Sequence, residues 1–452
     1  MRKIIQYMMM ALIAVVLASC ANDISEESTP TVKSNIRFVV DDFPMFEKPS
    51  TRTIGEEDKG KTAWAVGDEI CVKLESKELG TQTATLKYNG VKFEIQDGNS
   101  LCYLEGEPVT AYAYYAPNRR WRNGSLDFKD IFGNPNGTAE FLEATCTVHY
   151  GDNNYVDISF ANATRNYSRL RIATIPKTEI KVDADNFAPT DNPNRLYMTY
   201  TLTSDEKGNA YLYGTFYNNS IVTVKYRGAT LKTYKFSKET ENAKSYALDA
   251  TVISANSAEE IYSAIKQEIA DGKTAIRLNL ASDAGDNEFN AIREAFKNVQ
   301  DATIDLTLIG CKEIPVNGLY RIMALKSITL PDVTKIRMDA LSSCLYLQEI
   351  CAPNVSAIDE YAFGKCRYLR KVTLGKLTDV RGEANSRSGI FDDINDLNPD
   401  IDLYLPKNQE VMEFDENSKQ YIWKPTGESY FAGSDKDNVF LGYQFMSVKI
   451  WE

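Results

Sequence analysis

Side chains that usually carry out chemistry are sparse in this chain. One histidine is present, His149, within Thr147-Val148-His149-Tyr150. A Ser-His-Asp or Cys-His arrangement would have to use it, yet no GxSxG elbow or family-specific cysteine context accompanies it. No HExxH, P-loop, GxGxxG after a strand, or EF-hand loop occurs. The eight cysteines include no CxxC and no Cys/His ligand spacing. Paired carboxylates for glycoside hydrolysis need only meet in space, and 63 acidic side chains are available, so a polysaccharide-acting enzyme stays as the lowest-ranked alternative. No catalytic residue, metal ligand or cofactor is assigned, and the chain reads as a non-enzyme.

One cysteine stands apart. The chain opens Met1-Arg2-Lys3, runs apolar from Met8 to Ala18, and continues Ser19-Cys20. That is the basic, apolar and small-residue layout of a secretory signal. The apolar run falls short of the roughly 20 residues that a spanning helix needs. Leu17-Ala18-Ser19-Cys20 resembles a bacterial lipobox, which implies a signal peptide over 1–20 and acylation of Cys20 as the new N-terminus. The alternative is a conventional signal peptide followed by a coincidental cysteine. Acyl chains hold a protein to a bilayer through about 0.8 kcal/mol per buried methylene. Residues 21–33 are polar and acidic, with Asp23, Glu26 and Glu27, and read as a flexible tether. Acidic residues in this place resemble the export signals of surface lipoproteins in some Gram-negative bacteria, although an ordinary solvated linker looks the same. The expected location is therefore the outer membrane, at the cell surface, with the membrane touched only through lipid.

Length and charge bound the remainder. The 452 residues are too many for one core and suggest two or three domains. A net charge of −12 argues against a nucleic-acid partner. Seven further cysteines, Cys71, Cys102, Cys146, Cys311, Cys344, Cys351 and Cys366, read as buried free thiols, with one disulfide left open.

The front half carries period-two patterns of antiparallel β-structure. Ile36, Phe38 and Val40 alternate with Asn35, Arg37 and Val39, and Ile70, Val72 and Leu74 share one face. Asn89-Gly90 lies between two alternating runs and predicts a type I′ hairpin. Tyr112 and Tyr114, Val156 to Phe160, and Leu170 to Ile175 mark further strands. Ala210 to Phe216 and Ile221 to Tyr226, split by Asn218-Asn219, suggest a second hairpin. Strands at this spacing without helices argue for one or two β-sandwiches. Thr51-Arg52-Thr53, Trp64…Gly67-Asp68-Glu69-Ile70 and Ala111-Tyr112-Ala113-Tyr114-Tyr115-Ala116-Pro117 resemble the fimbrillin-like family of surface lipoproteins and pilus subunits. The resemblance implies transthyretin-like sandwiches at 34–165 and, shortened, at 166–252. It also implies a candidate proteolytic processing site at Arg52, for which a solvated loop arginine is the plainer reading.

The back half is periodic at 22 residues. Leu306, Ile328, Ile350 and Val372 form one column, and Leu308, Leu330, Ala352 and Leu374 another. Ile314, Ile336, Ile358 and Val380 keep the spacing, as do Leu319, Leu341 and Phe363, and Leu325, Leu347 and Leu369. Ile322, Cys344 and Cys366 share a position, which calls for a small apolar group. One repeat cannot bury its own columns, so neighbours must stack around a common core. The units Ala340-Leu341…Cys344…Leu347 and Ala362-Phe363-Gly364-Lys365-Cys366…Leu369 resemble BspA-type leucine-rich repeats. The fold class is then multidomain: an N-terminal all-β sandwich followed by a C-terminal α/β leucine-rich repeat solenoid over 303–405. Phe391 comes late after Phe363, so residues near Glu383 to Ser388 must loop out. Helices at Ser257 to Ala270 and Glu288 to Val299, with a strand at Ile276 to Leu280, predict an α/β cap over 253–302. Residues 406–452 should close the other end.

With the columns above turned inward, their neighbours point outward. These are Asp305, Ser327, Glu349 and Lys371 in one file, and Thr307, Thr329, Cys351 and Thr373 in the next. This strand face is the candidate ligand surface, with a merely solvated sheet as the alternative. BspA-type repeats imply adhesion, so the expected partner is a host or bacterial surface protein or glycan. An accessory or tip fimbrial subunit joined to other pilus subunits by strand donation is the second reading.

Overall fold

The computed structural model describes residues 32–33, 36–47, 60–96, 101–117, 120–122, 125–127, 137–151, 154–161, 165–190, 194, 196–380, 389–391, 400–415, 420–425, 438–441 and 443–451. Cys20, its leader, most of the tether and Arg52 lie outside these residues, as does the segment expected to loop out before Phe391. The described chain is β-rich, with two helices among the described residues. No described helix is long and apolar enough to cross a membrane. Two compact units divide the chain: 1–41, 66–114 and 144–159 form the first, and 42–65, 115–143 and 160–452 the second.

The first unit is organised by a seven-stranded sheet. Its strands are β1 (Arg37–Val40), β2 (Glu69–Ser76), β3 (Gly80–Tyr88), β4 (Phe93–Ile95), β5 (Val109–Tyr115), β6 (Leu142–His149) and β7 (Tyr155–Ile158), in the order β1-β7-β6-β5-β2-β3-β4. Alternation places Ile70, Val72 and Leu74 in the core beside Ala84, Leu86, Ala111 and Ala113. The Asn89-Gly90 turn differs from the expected two-residue type I′ loop. Strand pairing closes at Tyr88 and Phe93, which leaves four residues in the loop. Only Gly90 adopts positive φ there, because the Asn89 side chain accepts from the backbone N–H groups of Val91 and Lys92 and sets the turn itself. Such side-chain-to-backbone bonds are a standard property of asparagine in turns.

In the second unit, β8 (Ser168–Ala173), β9 (Glu179–Pro189), β10 (Leu196–Thr203), β11 (Asn209–Tyr226), β12 (Ala229–Lys235) and β13 (Ser245–Asp249) form one six-stranded sheet. The hairpin expected at Asn218-Asn219 is absent: β11 runs unbroken through it. The register instead jumps opposite Asn186, from Asp185↔Ile221 to Phe187↔Phe216. Positive φ at Asn186 and Asn219 kinks both strands, and the Ser220 hydroxyl closes the bulge on the Asn186 carbonyl. An extra-residue bulge bends a strand where a turn would reverse it. Residues 42–47 also belong to this unit. Phe43 and Phe46 are buried, and Glu47 pairs in parallel with Lys244 beside β13.

Beyond residue 253 the same unit becomes a stack of parallel coils. Helix α1 (Ala258–Ala270) starts at Ser257, whose side chain accepts from Glu260 N, and it buries Ile261 and Ile265. Helix α2 (Asp286–Phe296) buries Phe289, Ile292 and Phe296. Between them runs β14 (Ala275–Asn279), parallel to β15 (Ile304–Ile309). The stack continues through β16 (Leu325–Thr329), β17 (Glu349–Ala352), β18 (Lys371–Leu374), β19 (Asp402–Pro406) and β20 (Ser447–Trp451), all parallel. Leu306, Ile328, Ile350, Val372, Leu403 and Val448 occupy one inward file across these strands and are buried. A narrower parallel sheet, beginning at Glu313, carries Ile314, Ile336, Ile358 and Val380 in register.

The coils return through turns, so the helical content expected of an α/β solenoid is confined to the residues before them. The cause is local: Asn317, Asp339 and Tyr361, then Arg321, Ser343 and Lys365, hold positive φ at equivalent places, which no right-handed helix accommodates. Cys344 and Cys366 fill the small-residue position, and each thiol donates to the carbonyl of the preceding coil, Leu319 at 3.1 Å and Leu341 at 3.2 Å. Burial pushes the Cys344 and Cys311 thiols up to about 12.

Two predictions follow from this core. Ile350→Ala should remove about 2–5 kcal/mol of stability, measured by urea unfolding, because Ile350 is fully buried between two coils; a loss below 1 kcal/mol would contradict the shared core. At pH 8 the thiolate alkylates and the thiol does not. Iodoacetamide should therefore leave Cys311, Cys344 and Cys366 unmodified in folded protein and label them after unfolding, as read by mass spectrometry.

Candidate ligand face of the coil stack

The outward files of the parallel sheet follow from strand alternation. In register, Ala275, Asp305, Ser327, Glu349, Lys371, Asp402 and Ser447 form one file. Arg277, Thr307, Thr329, Cys351, Thr373, Tyr404 and Lys449 form its neighbour. Every residue expected on the strand face from the sequence thus occupies its expected file. Ser327, Thr329, Glu349, Lys371 and Thr373 are half-buried, as is Asp305. Thr307 is buried at 7 % exposure and contributes no open surface.

The covering of the first coils explains Thr307. Arg277, beside it in the file, donates from Nε to the Leu231 carbonyl of β12 at 2.9 Å, and burial draws its pKa down. Ile309 packs into the core of the six-stranded sheet. The Arg227-Gly228 turn between β11 and β12 reaches the strand ends, where Asn354 Nδ2 donates to the Arg227 carbonyl at 3.2 Å. Asp332, 2 % exposed at its side chain, anchors this contact. It accepts from Gly310 N at 2.9 Å and pairs with the Arg227 guanidinium. Burial, followed by the Asp332 charge, raises the Tyr226 hydroxyl.

Besides Ala275 and Arg277 at the covered end, four further members of the files were not foreseen: Asp402, Tyr404, Ser447 and Lys449. They fall on β19 and β20, where chain spacing departs from the 22-residue interval seen between Asp305 and Ser327. The inward Leu403 and Leu405 of the sequence pattern were the available signal. These residues give the later coils a charged and aromatic surface. Lys371 pairs with Glu349, and Lys449 Nζ donates to Asp402 Oδ2 at 2.9 Å. Lys371 and Lys449 stand over the Tyr404 ring at 5.7 and 5.5 Å. Hydrogen bonds from Ser447 and then Lys449 hold the Asp402 carboxyl below its ordinary value. Such a surface can present fixed charge and a ring face to a partner. His149 lies elsewhere, on β6 in the first unit, with Nε2 2.8 Å from Asp157 Oδ2 and its ring stacked on Tyr155 at 4.2 Å.

A repeat protein with one inward core and one patterned outer sheet is the class this geometry defines. Residues 291–393 match a family model described as BspA type Leucine rich repeat region, in 6 copies. No curated protein and no solved structure matches the chain.

Asp332→Ala should cost about 1–3 kcal/mol, since it leaves the Gly310 N–H without its acceptor. Arg227→Ala should cost under about 1 kcal/mol because that guanidinium is half exposed. Thermal unfolding of both variants would test this order, and equal losses would contradict it.

Proposed function

We propose that this protein is a cell-surface attachment lipoprotein, held to the outer membrane through acylated Cys20, that binds a host or bacterial surface protein or glycan with its leucine-rich repeat region. The supporting observation is the half-exposed outer sheet of repeats belonging to a family associated with adhesion, with Glu349, Lys371, Asp402, Tyr404 and Lys449 in adjacent files. Tyrosine and cation-bearing surfaces of this kind suit recognition, whereas an isolated exposed ion pair contributes little to stability. The front portion fits a fimbrillin-like sandwich stalk that carries the repeats away from the membrane. No enzymatic step is proposed.

One observation favours the accessory or tip fimbrial reading as the second choice. Residues 42–47 precede Arg52 and end at the edge of the six-stranded sheet: Glu47 N donates to Ala243 O at 2.9 Å, and Glu47 O accepts from Ser245 N at 3.0 Å. A segment in that place is the kind of element that strand donation replaces after proteolysis. Isolated pili that contain this protein truncated near Arg52 would favour this reading over the first.

For the first reading, detergent-solubilised full-length protein should bind a panel of matrix proteins and surface glycans saturably. Combined Lys371→Ala and Tyr404→Ala substitution should weaken that binding about ten-fold. Cys20→Ala should shift the protein from the membrane to the soluble fraction. Absence of binding across the panel, or membrane retention of the Cys20 variant, would overturn it.

A further inference from the structure

The turn edge of the coils differs in charge from the rest of the chain. Acidic residues outnumber basic ones overall, 63 to 51. Yet the three equivalent turn segments, 318–326, 340–348 and 362–370, contain no Asp or Glu and carry Arg321, Lys326, Lys365, Arg367 and Arg370. All five of these side chains are exposed.

The coil register sets these residues in rows. Gln348 N donates to Lys326 O and Arg370 N to Gln348 O, both at 2.8 Å, so Lys326, Gln348 and Arg370 lie side by side on successive coils. Arg321 N donates to Ser342 O at 3.0 Å and Ser343 N to Gly364 O at 2.7 Å, which aligns Arg321, Ser343 and Lys365. Between these rows stand Tyr346 and Tyr368, 41 % and 51 % exposed. Their rings stack with centroids 5.5 Å apart and planes 29° apart. Neighbouring coils are spaced by about 4.8 Å, the distance between paired strands, and Gln348 and Ser343 on the middle coil are neutral, so the edge offers two groups of cations about 10 Å apart beside two ring faces.

We propose that this edge binds an anionic polysaccharide, one bearing carboxylate or sulfate groups along its length. Guanidinium groups predominate, and their planar fork matches carboxylate and sulfate oxygens in paired hydrogen bonds. Exposed tyrosine rings provide a flat apolar face with a polar tip, on which the C–H face of a sugar ring can lie. Arg370 also lies 3.8 Å from the exposed Asp400 carboxylate, an ion pair that a polyanion would displace or share. This edge adjoins the strand face, since Lys326 lies on β16 and Arg370 directly precedes Lys371, so variants in each are needed to tell the two surfaces apart.

The test uses the detergent-solubilised full-length chain on immobilised heparin, polygalacturonate and neutral dextran, with double-stranded DNA and polyglutamate as competitors. Retention on at least one of the two anionic polysaccharides but not on dextran is expected. Arg367→Ala with Arg370→Ala should lower affinity at least about ten-fold and flatten the dependence on salt. Tyr346→Ala with Tyr368→Ala should lower affinity several-fold and leave the salt dependence unchanged. Lys371→Ala with Tyr404→Ala, on the strand face, should bind the polysaccharide as the parent does. Unchanged melting temperature for each variant separates these effects from misfolding. Failure of the parent to bind either polysaccharide, retention indifferent to the edge substitutions, or equal competition by DNA or polyglutamate would overturn the proposal. Loss of binding only in the strand-face variant would overturn it in favour of that face.

Discussion

The back half depends on one constraint: each coil must end in register with the next, because its apolar columns have no partner except the neighbouring coils. Leu319, Leu341 and Phe363 are buried only through that stacking, and the Phe363 ring continues onto Phe391 at 5.4 Å. Closing a coil in so few residues requires sharp reversals, which explains the paired left-handed positions in each. Non-glycine residues there carry a backbone cost of about 1–3 kcal/mol apiece. Inter-coil hydrogen bonds offset it: Asn317 N to Met338 O, Asp339 N to Glu360 O, and Tyr361 N to Gly389 O. The last of these meets a glycine at φ +64, where the irregular fourth coil resumes the register.

Because inward positions and reversals are fixed, the outward positions are where repeats can vary. They are filled so that neighbours within a file, such as Glu349 and Lys371, or across adjacent files, such as Asp402 and Lys449 or Arg337 with Glu313, complement one another. Exposed pairs like these add little to stability, so their composition is available for recognition. The inward columns hold the structure; the outward files and the turn edge distinguish this stack from any other.

Periodicity made most of this legible. The five apolar columns and the buried Cys344 and Cys366 thiols followed from spacing, since a repeated apolar position has one physical explanation in a stack; Cys71, Cys102, Cys146 and Cys351, expected to be buried as well, are only half-buried. Where spacing ended, so did legibility. Asp402 and Lys449 escaped because the intervals before β19 and β20 are irregular, although Leu403 and Val448 rejoin the same inward file. Asn218-Asn219 has the composition of a turn, but the bulge opposite Asn186 absorbs both residues within one strand. Propensity describes a local preference, and here sheet pairing on both sides of β11 overrides it. Thr307 has the sequence of an outward residue and is buried, beside Arg277, whose bond to the Leu231 carbonyl of β12 is a contact between distant segments that no periodic pattern encodes.

That last contact governs which surfaces can act. Arg277, Ile309, Gly310 and Asp332 commit the early coils to the six-stranded sheet, through Leu231 and the Arg227-Gly228 turn. The buried Asp332 fixes the approach, because its carboxylate must find donors from both partners or lie buried without them. A cut between residues 252 and 253 would therefore expose Ile309 and strip Asp332 of Arg227, so the repeats and the sheet before them are one folding unit. The surfaces left open are the later coils and the turn edge, where Tyr346, Tyr368 and Tyr404 keep exposed or half-exposed rings. The covered front of the stack fixes its orientation against the sheet, and its uncovered rear and edge are the surfaces that the proposed contacts would use.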